Sequence, residues 1–465
     1  MLLEKAKNAA EDVSQLIERA KKAQEIANEY TQERVDELIT AIAWEAVKKK
    51  NAEKIAQLAV DESGLGNYDS KYIKLQKKIR GVIRDLKNVK SLGIIERDNE
   101  KGLVKVAKPV GVIGAIVPCT NPEATPVIKT IFAIKGRNAV ILAPHPRTKK
   151  TNKLITDMMR DTLRRYEAPE DLIIAIEEPT VDISNEVMKQ CDLIVATGGS
   201  AMVKAAYGSG KPAYGVGVGN AVVVVDETAD LEDAAKKIMQ SKTFDFASSC
   251  SSDNSVVIQE SIYDRLIEAL KKEGGYFVNM DEKTRLQNIM WVNGQLNRGI
   301  VAQPASKIAS MAGIDIGKDA RFIMVAETGT GKDYLFSGEK LSVVLTLYKY
   351  GKFEEAVRIV NEITDYMGKG HSCGIHSFNE DHIEELSIKT RTSRIMVRQA
   401  TCIGNSGSWD NGMPFSLTLG CGTWGGNISS ENITWKHMVN TTWVSYPIEP
   451  VIPDDEELFG EVMHE

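Results

Sequence analysis

One cysteine of the chain lies in a setting that suits covalent chemistry. Cys250 occupies the segment FASSCSSDNS (246–255), where most of its near neighbours are small or carry hydroxyl groups. A thiolate adds to carbonyl carbons and forms covalent intermediates, and small neighbours leave room for a substrate. Ser249 and Ser251 can donate hydrogen bonds that favour a thiolate or a developing oxyanion. Buried structural cysteines are common, so this segment alone leaves a nucleophile and a structural residue both open.

Two loops that follow apolar runs have the composition of nucleotide-binding sites. The segment ATGGSAMVKAAY (196–207) follows one run and opens a helix, where exposed N–H groups can bind phosphate. The segment ILAPHPRTKK (141–150) ends another run, at the position where doubly wound sheets bind ligands. A tight strand-to-helix turn and a solvated helix start would explain the same residues. The candidate residues in the two loops are Pro144, His145, Pro146, Arg147, Thr197, Gly198 and Gly199.

The bulk composition indicates a soluble globular protein. The chain has 465 residues, of which 43% are hydrophobic and 26% charged, with a formal net charge of −6 at pH 7. This balance disfavours a nucleic-acid surface, and no apolar run is long enough to span a membrane. The charged, helix-periodic start favours a cytoplasmic protein. The six cysteines form no CxxC pair, so we expect free thiols and no metal site.

The elements that must position these residues alternate between helices and strands. Residues 1–90 are helix-periodic, and residues 91–109 have the pattern of a β-hairpin around the polar turn DNEKG. From residue 109, short Val- and Ile-rich runs alternate with helices, which is typical of a parallel sheet covered on both faces. A second stretch of this kind begins near residue 226. The sequence therefore predicts an α/β fold with two parallel-sheet regions.

The order of the motifs resembles that of the aldehyde dehydrogenase superfamily, and specifically of its CoA-acylating branch. Within that branch the chain is most similar to acylating sulfoacetaldehyde dehydrogenases and to CoA-dependent succinate semialdehyde dehydrogenases. The match extends over nearly the whole chain. The motifs that carry it, in chain order, are PVGVIGAIVPCTNP (109–122), APHP (143–146), ATGG (196–199), KPAYGVGVGN (211–220), the segment around Cys250, EKLSVVL (339–345), GHSCGIHS (370–377) and LGCGTWGGN (419–427).

The resemblance implies an aldehyde dehydrogenase-like fold with two Rossmann-like parallel-sheet domains and a β-hairpin oligomerisation arm. A nucleotide-binding domain would comprise residues 1–90 and 109–225, and a catalytic domain would comprise residues 226–425. The arm would comprise residues 91–108 and 441–450. An arm of this kind implies that the chain forms a homodimer or a homotetramer.

The resemblance also implies roles for individual residues. Cys250 matches the nucleophile, Asn121 matches an asparagine of the oxyanion hole, and His371 matches a histidine that assists thiol deprotonation or contacts CoA. Without the resemblance, Asn121 would be an ordinary turn residue and His371 a structural histidine. The implied cofactor-binding residues are Pro118, Pro144, His145, Pro146, Arg147, Thr197, Gly198, Gly199, Gly217, Glu339 and Leu341. The expected substrate-binding residues are Ser249, Ser251, Arg398 and Thr401.

The absence of an acidic residue from one segment predicts which molecule accepts the acyl group. The segment KPAYGVGVGN (211–220) lacks the glutamate that activates water in hydrolytic members of the superfamily. Without a general base, water attacks a Cys250 thioester slowly, whereas the thiol of CoA is a better nucleophile. We therefore expect transfer to CoA, with a hydrolytic aldehyde dehydrogenase as the alternative.

The aldehyde and the nicotinamide cofactor are less well defined by the sequence. Arg398, in SRIMVRQA, follows a strand and is a cation suited to a sulfonate or a carboxylate. We expect a small anionic aldehyde, sulfoacetaldehyde first and succinate semialdehyde second, oxidised with reduction of NADP or NAD. Arg147 can meet the 2′-phosphate of NADP or the 3′-phosphate of CoA, so the choice between the two nucleotides stays open.

Overall fold

Helices begin the chain and then alternate with its strands. The computed structural model describes residues 2–464, and it describes side chains from residue 8 to residue 463. A π-helical turn, Leu75–Ile79, joins α4 to α5 in one continuous helical segment. The α-helices are α1 (Leu2–Ala27), α2 (Gln32–Val47), α3 (Lys49–Ser63), α4 (Tyr68–Lys74), α5 (Arg80–Leu86), α6 (Thr125–Lys135), α7 (Lys149–Arg165), α8 (Val181–Gln190), α9 (Ser200–Tyr207), α10 (Leu231–Thr243), α11 (Tyr263–Lys272), α12 (Met280–Met290), α13 (Ala305–Met311), α14 (Phe353–Tyr366), α15 (Glu380–Lys389), α16 (Thr401–Gly404) and α17 (Asp455–Phe459).

Most strands belong to two large sheets and one small arm sheet. A short hairpin of two-residue strands lies apart from them. The strands are β1 (Gly93–Asp98), β2 (Leu103–Pro109), β3 (Val112–Val117), β4 (Ala139–Pro144), β5 (Ile173–Ala175), β6 (Leu193–Thr197), β7 (Ala213–Val216), β8 (Ala221–Val225), β9 (Asp253–Gln259), β10 (Gly275–Phe277), β11 (Trp291–Val292), β12 (Gln295–Leu296), β13 (Phe322–Ala326), β14 (Val344–Tyr350), β15 (Cys373–His376), β16 (Ile395–Val397) and β17 (Val439–Ser445).

The first large sheet has the order β5-β4-β3-β6-β7, and every neighbouring pair is parallel. Strands β3 and β4 are buried along their whole length, which explains why their sequences are continuously apolar rather than alternating. From β3 the chain adds β4 and β5 on one side of the sheet. It then returns and adds β6 and β7 on the other side of β3. Ligands bind outside the carboxyl ends of the strands at such a reversal, so Pro118 and Thr197 lie where a cofactor is expected.

The second large sheet has the order β10-β13-β14-β9-β8-β15-β16, again with parallel pairs throughout. Strand β8 belongs to this sheet, so the boundary between the domains lies before Ala221 and not at residue 225 as predicted from the sequence. Phe415 and Trp435 pack into the core of the first domain, so the chain returns there before residue 425. The two differences from the predicted domain bounds have the same cause. A buried strand or side chain is apolar in either core, so its sequence does not show to which core it belongs.

The third sheet is the predicted arm. Its order is β1-β2-β17 with antiparallel pairing, and β17 runs beside β2 from Val439, opposite Pro109, to Ser445, opposite Leu103. The hairpin thus forms where the polar turn DNEKG predicted it. No helix among residues 2–464 is long and apolar enough to cross a membrane.

A connection of four residues, 217–220, links the two large sheets, and the site lies beside it. Strand β7 ends the first sheet at Val216, and β8 begins the second at Ala221. The short connection brings the carboxyl edge of the first sheet against the amino edge of the second. Within it, the Gly219 N–H donates to Glu339 Oε1 at 3.0 Å, just before β14 begins.

Candidate active site

The nucleophile candidate lies in a strained loop at the amino end of a central strand. Cys250 precedes β9, which occupies the middle of the second sheet. Three consecutive residues before it have left-handed backbone conformations, with φ of 51° at Asp245, 49° at Phe246 and 59° at Ala247. Such conformations cost about 1–3 kcal/mol each for residues with a side chain, and they persist only where the surroundings hold them.

A buried ion cluster holds this loop. The Asp245 carboxylate lies 2.8 Å from Lys71 Nζ and 2.7 Å from Lys74 Nζ, and Lys74 also lies 2.7 Å from Glu123. Burial alone would raise the pKa of the Asp245 carboxyl, but the two ammonium groups hold this pKa below its ordinary value. The Ser248 hydroxyl donates to the same carboxylate at 2.6 Å. Two cations and two anions thus balance, and the loop before Cys250 is tied to helix α4.

The same cluster orients Asn121. Lys74 Nζ donates to Asn121 Oδ1 at 2.5 Å, and an ammonium group has no acceptor, so the amide oxygen must face the lysine. The amide nitrogen is then left on the other side, and it donates weakly to Thr120 Oγ1 at 3.3 Å. Asn121 and Ser249 line one cavity of about 70 Å³. The cavity therefore places Asn121 beside Ser249, the residue that precedes Cys250.

His371 faces the Cys250 sulfur. Its Nε2 lies 3.1 Å from Sγ, and its Nδ1 lies 2.8 Å from Ser372 Oγ. Burial, with a contribution from the nearby Arg394 guanidinium, lowers the pKa of His371 to about 3. Burial raises the pKa of the Cys250 thiol, and the Glu339 carboxyl adds to this. Both groups are therefore neutral at pH 7, and the thiol can donate its proton to Nε2.

Glu339 and Gly219 close the site on the second-sheet side. A Cβ added at Gly219 would lie 1.9 Å from the Cys250 carbonyl oxygen, so only glycine lets the two backbones pack this closely. The Gly219 N–H binds the Glu339 carboxyl, and burial raises the pKa of Glu339 to about 8. Leu341, two residues on, has a φ of 42°, and its carbonyl accepts from the Ala302 N–H at 2.8 Å.

A cleft of about 730 Å³ lies between α9 and residues 364–369, and Gly217 is part of its wall. A Cβ added at Gly199 would meet nothing within 4 Å, so open space lies directly above the backbone at the start of α9. Phosphate groups can approach N–H groups in such a place. Thr197, which precedes these glycines, uses its hydroxyl to bind Thr418 at 3.2 Å. The glycine loop therefore fits a nucleotide.

The other predicted cofactor residues lie along the same edge of the first sheet. Pro118 follows β3, while Pro144 ends β4 and is followed at once by His145 and Pro146. The Arg147 guanidinium donates to the carbonyl of Ser63 at the end of α3, which fixes one of its nitrogen atoms. Its remaining donors can serve a ligand.

The predicted substrate residues separate into two groups. Ser249 lines the cavity of about 70 Å³, and its hydroxyl lies 2.9 Å from that of Ser251. Thr401 is fully buried against Gly374 and does not line this cavity.

The structure does not bring Arg398 to Cys250. Its N–H donates to Ile375, near the carboxyl end of β15, and its guanidinium binds the Ser377 carbonyl and stacks 4.6 Å from the Phe378 ring centre. Cys250 lies at the opposite, amino edge of this sheet. The prediction that Arg398 binds the substrate anion is therefore wrong, because the position of a residue after a strand does not show which edge holds the site.

Sequence reasoning missed the lysines of the segment KYIKLQKK (71–78). Lys71, Lys74 and Lys78 are buried, although lysine is rarely buried without a partner. Their spacing places them on one helical face together with the apolar residues Leu75 and Ile79. That mixture of lysines and apolar residues on one face is the signal that could have identified them.

One acidic cluster lies outside the site. Ligand atoms of Asp226, Glu227 and His382 all lie within 4.8 Å of one another. The Asp226 carboxylate already accepts from the Thr228 hydroxyl at 2.6 Å and lies 2.8 Å from His382 Nδ1. These contacts account for the cluster without a cation.

Comparison with known proteins agrees with this geometry. The model of the aldehyde dehydrogenase family matches residues 1–286. The sulfoacetaldehyde dehydrogenase (acylating) of Bilophila wadsworthia is 47% identical over 454 residues, covering 97% of this chain and 98% of the relative. The chain therefore belongs to the aldehyde dehydrogenase family, and the resemblance seen in its motifs is confirmed.

Solved structures confirm the α/β fold. The crystal structure of an acetylating aldehyde dehydrogenase from Geobacillus thermoglucosidasius has a TM-score of 0.92 and 39% identity, covering 97% of this chain and 99% of that one. A propionaldehyde dehydrogenase from Rhodopseudomonas palustris, solved with bound CoA and an acylated cysteine, has a TM-score of 0.84 and 26% identity. That match covers 93% of this chain and 96% of the other.

Proposed function

We propose that this protein oxidises a small anionic aldehyde to its acyl-CoA with reduction of NAD(P), reversibly, through a thioester on Cys250. The observation that carries the proposal is the contact of 3.1 Å between the Cys250 sulfur and a neutral His371, in a site whose segment 211–220 has no acidic residue. Relatives named as acylating aldehyde dehydrogenases support the same reaction class.

In the first half-reaction, the Cys250 sulfur attacks the aldehyde carbon while the thiol proton passes to His371 Nε2. The carbonyl oxygen becomes an oxyanion, and the Asn121 amide stabilises it from the position that Lys74 fixes. A bound nicotinamide supplies the hydride acceptor that oxidises this adduct. Loss of the hydride converts the adduct to a Cys250 thioester, and His371 releases the thiol proton to solvent before CoA reacts.

In the second half-reaction, the CoA thiol attacks the thioester and Cys250 leaves. His371 accepts the proton of the incoming thiol and returns it to the departing sulfur, so the site ends in its starting state. Segment 211–220 contains no acidic residue, and Val216 stands near the place where a hydrolytic enzyme has a glutamate to activate water, so hydrolysis competes poorly. The acylated cysteine and bound CoA of the propionaldehyde dehydrogenase support this order.

We propose that the nucleotide binds over Gly198 and Gly199, with Glu339 on its ribose hydroxyls. The open space above Gly199 supports this position. NADP and NAD both suit the site, since Arg147 keeps donors free for a 2′-phosphate. Free thiols at all six cysteines suit a reducing cytoplasm, where we propose that the enzyme acts.

We propose sulfoacetaldehyde as the favoured aldehyde. The name of the Bilophila wadsworthia relative and the lysines of the 70 Å³ cavity support an anionic substrate of this size. Succinate semialdehyde is the alternative, and propionaldehyde is the neutral reference.

A panel of reactions tests the proposal. Purified protein is mixed with each of the three aldehydes, with and without CoA, and with NAD or NADP, while the reduced nicotinamide is followed by its absorbance. We expect turnover only with CoA and fastest with sulfoacetaldehyde. Reduction of nicotinamide at the same rate without CoA would show a hydrolytic enzyme instead.

A further inference from the structure

We propose that Lys78 binds the anionic end of the aldehyde and thereby selects sulfonate or carboxylate substrates. The inference rests on the proposed function and adds the residue that reads the substrate. Lys78 lies on the π-helical turn between α4 and α5, and it lines the same cavity as Asn121 and Ser249. Its location therefore fits a group that contacts the tail of an aldehyde whose carbonyl lies beside Cys250.

The partners of Lys78 leave its charge unbalanced. Its ammonium donates to the Ile403 carbonyl at 3.0 Å and to the Gly407 carbonyl at 2.6 Å, and it lies 5.5 Å from the Phe415 ring centre. Among the described residues, no carboxylate forms an ion pair with it. An ammonium carries three N–H donors, so one remains for a ligand.

Lys74, one helical turn away, gives the internal contrast. Its side chain is also buried and lines the same cavity, but Asp245 and Glu123 each lie 2.7 Å from its ammonium. Lys74 therefore brings no uncompensated charge to the cavity, whereas Lys78 does. A buried cation without a counter-ion is costly unless a ligand supplies the anion.

The surrounding charges agree with this assignment. Burial lowers the pKa of Lys78 to about 7, with a further contribution from the ammonium groups of Lys77 and Lys74 and opposing contributions from Cys402 and Asp410. A bound sulfonate would reverse this effect, because an opposite charge in contact favours the charged form of the lysine.

The size of the cavity restricts the substrate. Its volume of about 70 Å³ suits a short aldehyde. In sulfoacetaldehyde only one carbon separates the carbonyl from the sulfonate, so both ends must contact the walls of this one small space. The Asn121 amide then serves the carbonyl, and the Lys78 ammonium serves the anion.

The substitution Lys78→Met removes the charge and keeps a side chain of similar length. We expect kcat/KM for sulfoacetaldehyde, relative to propionaldehyde, to fall about 100-fold, the factor expected from losing a hydrogen bond between charged groups. Lys87→Met is the matched control, because Lys87 follows α5, is exposed and does not line the cavity, and water and salt screen its charge. We expect its effect on the same ratio to be less than about threefold. Lys78→Arg should retain the preference for the anion.

A binding measurement checks the assignment without turnover. Isethionate, the alcohol analogue of sulfoacetaldehyde, should raise the melting temperature of the wild-type protein and not that of Lys78→Met. Equal losses for sulfoacetaldehyde and propionaldehyde in Lys78→Met would overturn the inference. If Lys78→Met does not fold, Lys78→Arg decides, since loss of both isethionate binding and anion preference in a folded Lys78→Arg protein also overturns it.

Failure of the proposed function gives a different result. A wild-type protein that shows no CoA-dependent turnover with any of the aldehydes refutes the acylating reaction, whatever isethionate does. A wild-type protein that turns over propionaldehyde and sulfoacetaldehyde equally well with CoA keeps the reaction class and refutes the role of Lys78. Succinate semialdehyde in the same assay distinguishes a preference for carboxylate from one for sulfonate.

Discussion

Cys250 and His371 form a neutral pair, so in the proposed reaction the thiol must transfer its proton during the attack. Burial and the Glu339 carboxyl raise the pKa of the thiol, while burial and Arg394 lower the pKa of the imidazole to about 3. Each shift favours the uncharged form, so sulfur keeps its proton at neutral pH. In the proposed reaction His371 is the base, and its Nε2 lies 3.1 Å from the Cys250 sulfur.

The neutral pair predicts how Cys250 reacts with iodoacetamide. Because only the thiolate reacts, the alkylation rate should rise about tenfold per pH unit from pH 6 to pH 9 without a plateau. The rate is measured by mass spectrometry of the peptide that contains Cys250, with Cys250→Ser as the unlabelled control. A plateau near pH 7 would instead show a thiolate–imidazolium pair.

The sequence predicted the candidate nucleophile and its neighbours better than the candidate substrate-binding residues. Cys250 and His371 belong to motifs that carry the resemblance, and the structure places His371 Nε2 3.1 Å from the Cys250 sulfur. The prediction for Arg398 uses only the fact that a cation follows a strand, and strand polarity places this residue at the far edge of the sheet. The mixture of lysines and apolar residues on one helical face could have identified Lys78 as buried, but its exact position depends on a π-helical turn.

The strained loop before Cys250 is held by a helix that precedes it by about 170 residues in the chain. Asp245 accepts hydrogen bonds from Lys71 and Lys74, both in α4, at separations of 174 and 171 residues. Left-handed conformations at three successive residues oppose this geometry, and the ion cluster offsets their cost. Helical periodicity predicted α4, but the charge pairing that connects it to the nucleophile loop is a tertiary property.

The substitution Asp245→Asn isolates the charge of this cluster, because asparagine tolerates a left-handed backbone. We expect the free energy of unfolding at pH 7 to fall by about 3 kcal/mol, since two buried ammonium groups lose a counter-ion. The lowered pKa of Asp245 means that its contribution is present above the ordinary carboxyl pKa of about 3.9 and disappears as the pH falls through the folded value. The difference from wild type should therefore shrink in strong acid.

Urea unfolding at pH 7 and in strong acid measures both effects. Asp69→Asn provides the control, because Asp69 is exposed on α4, the helix that carries Lys71 and Lys74. We expect its free energy of unfolding to change by less than about 0.5 kcal/mol. An Asp245→Asn protein as stable as wild type at pH 7 would show that the cluster does not hold the loop.

The whole chain organises the site by joining two parallel sheets through the short connection between β7 and β8. The alternation of apolar runs and helices predicted both sheets, and the turn DNEKG predicted the arm. The sequence could not assign strand β8, or the return of Phe415 and Trp435, to a particular core. Both cores require apolar residues, so apolar sequence does not distinguish them. Placing β8 in the second sheet matters for function, since it draws Gly219 against Cys250.

The arm leads to a prediction about assembly. In the sheet β1-β2-β17, strand β17 is an edge with unpaired backbone groups, and its Trp443 side chain is 56% exposed. An exposed edge and an exposed tryptophan favour pairing with a second copy of the chain.

The substitution Trp443→Glu should produce monomers where the wild type forms a homodimer or homotetramer, as measured by light scattering during gel filtration. The strand itself should persist, because residue 443 lies opposite Lys105, which would pair with the new carboxylate. A Trp443→Glu protein with the wild-type mass would show that β17 is not the assembly surface.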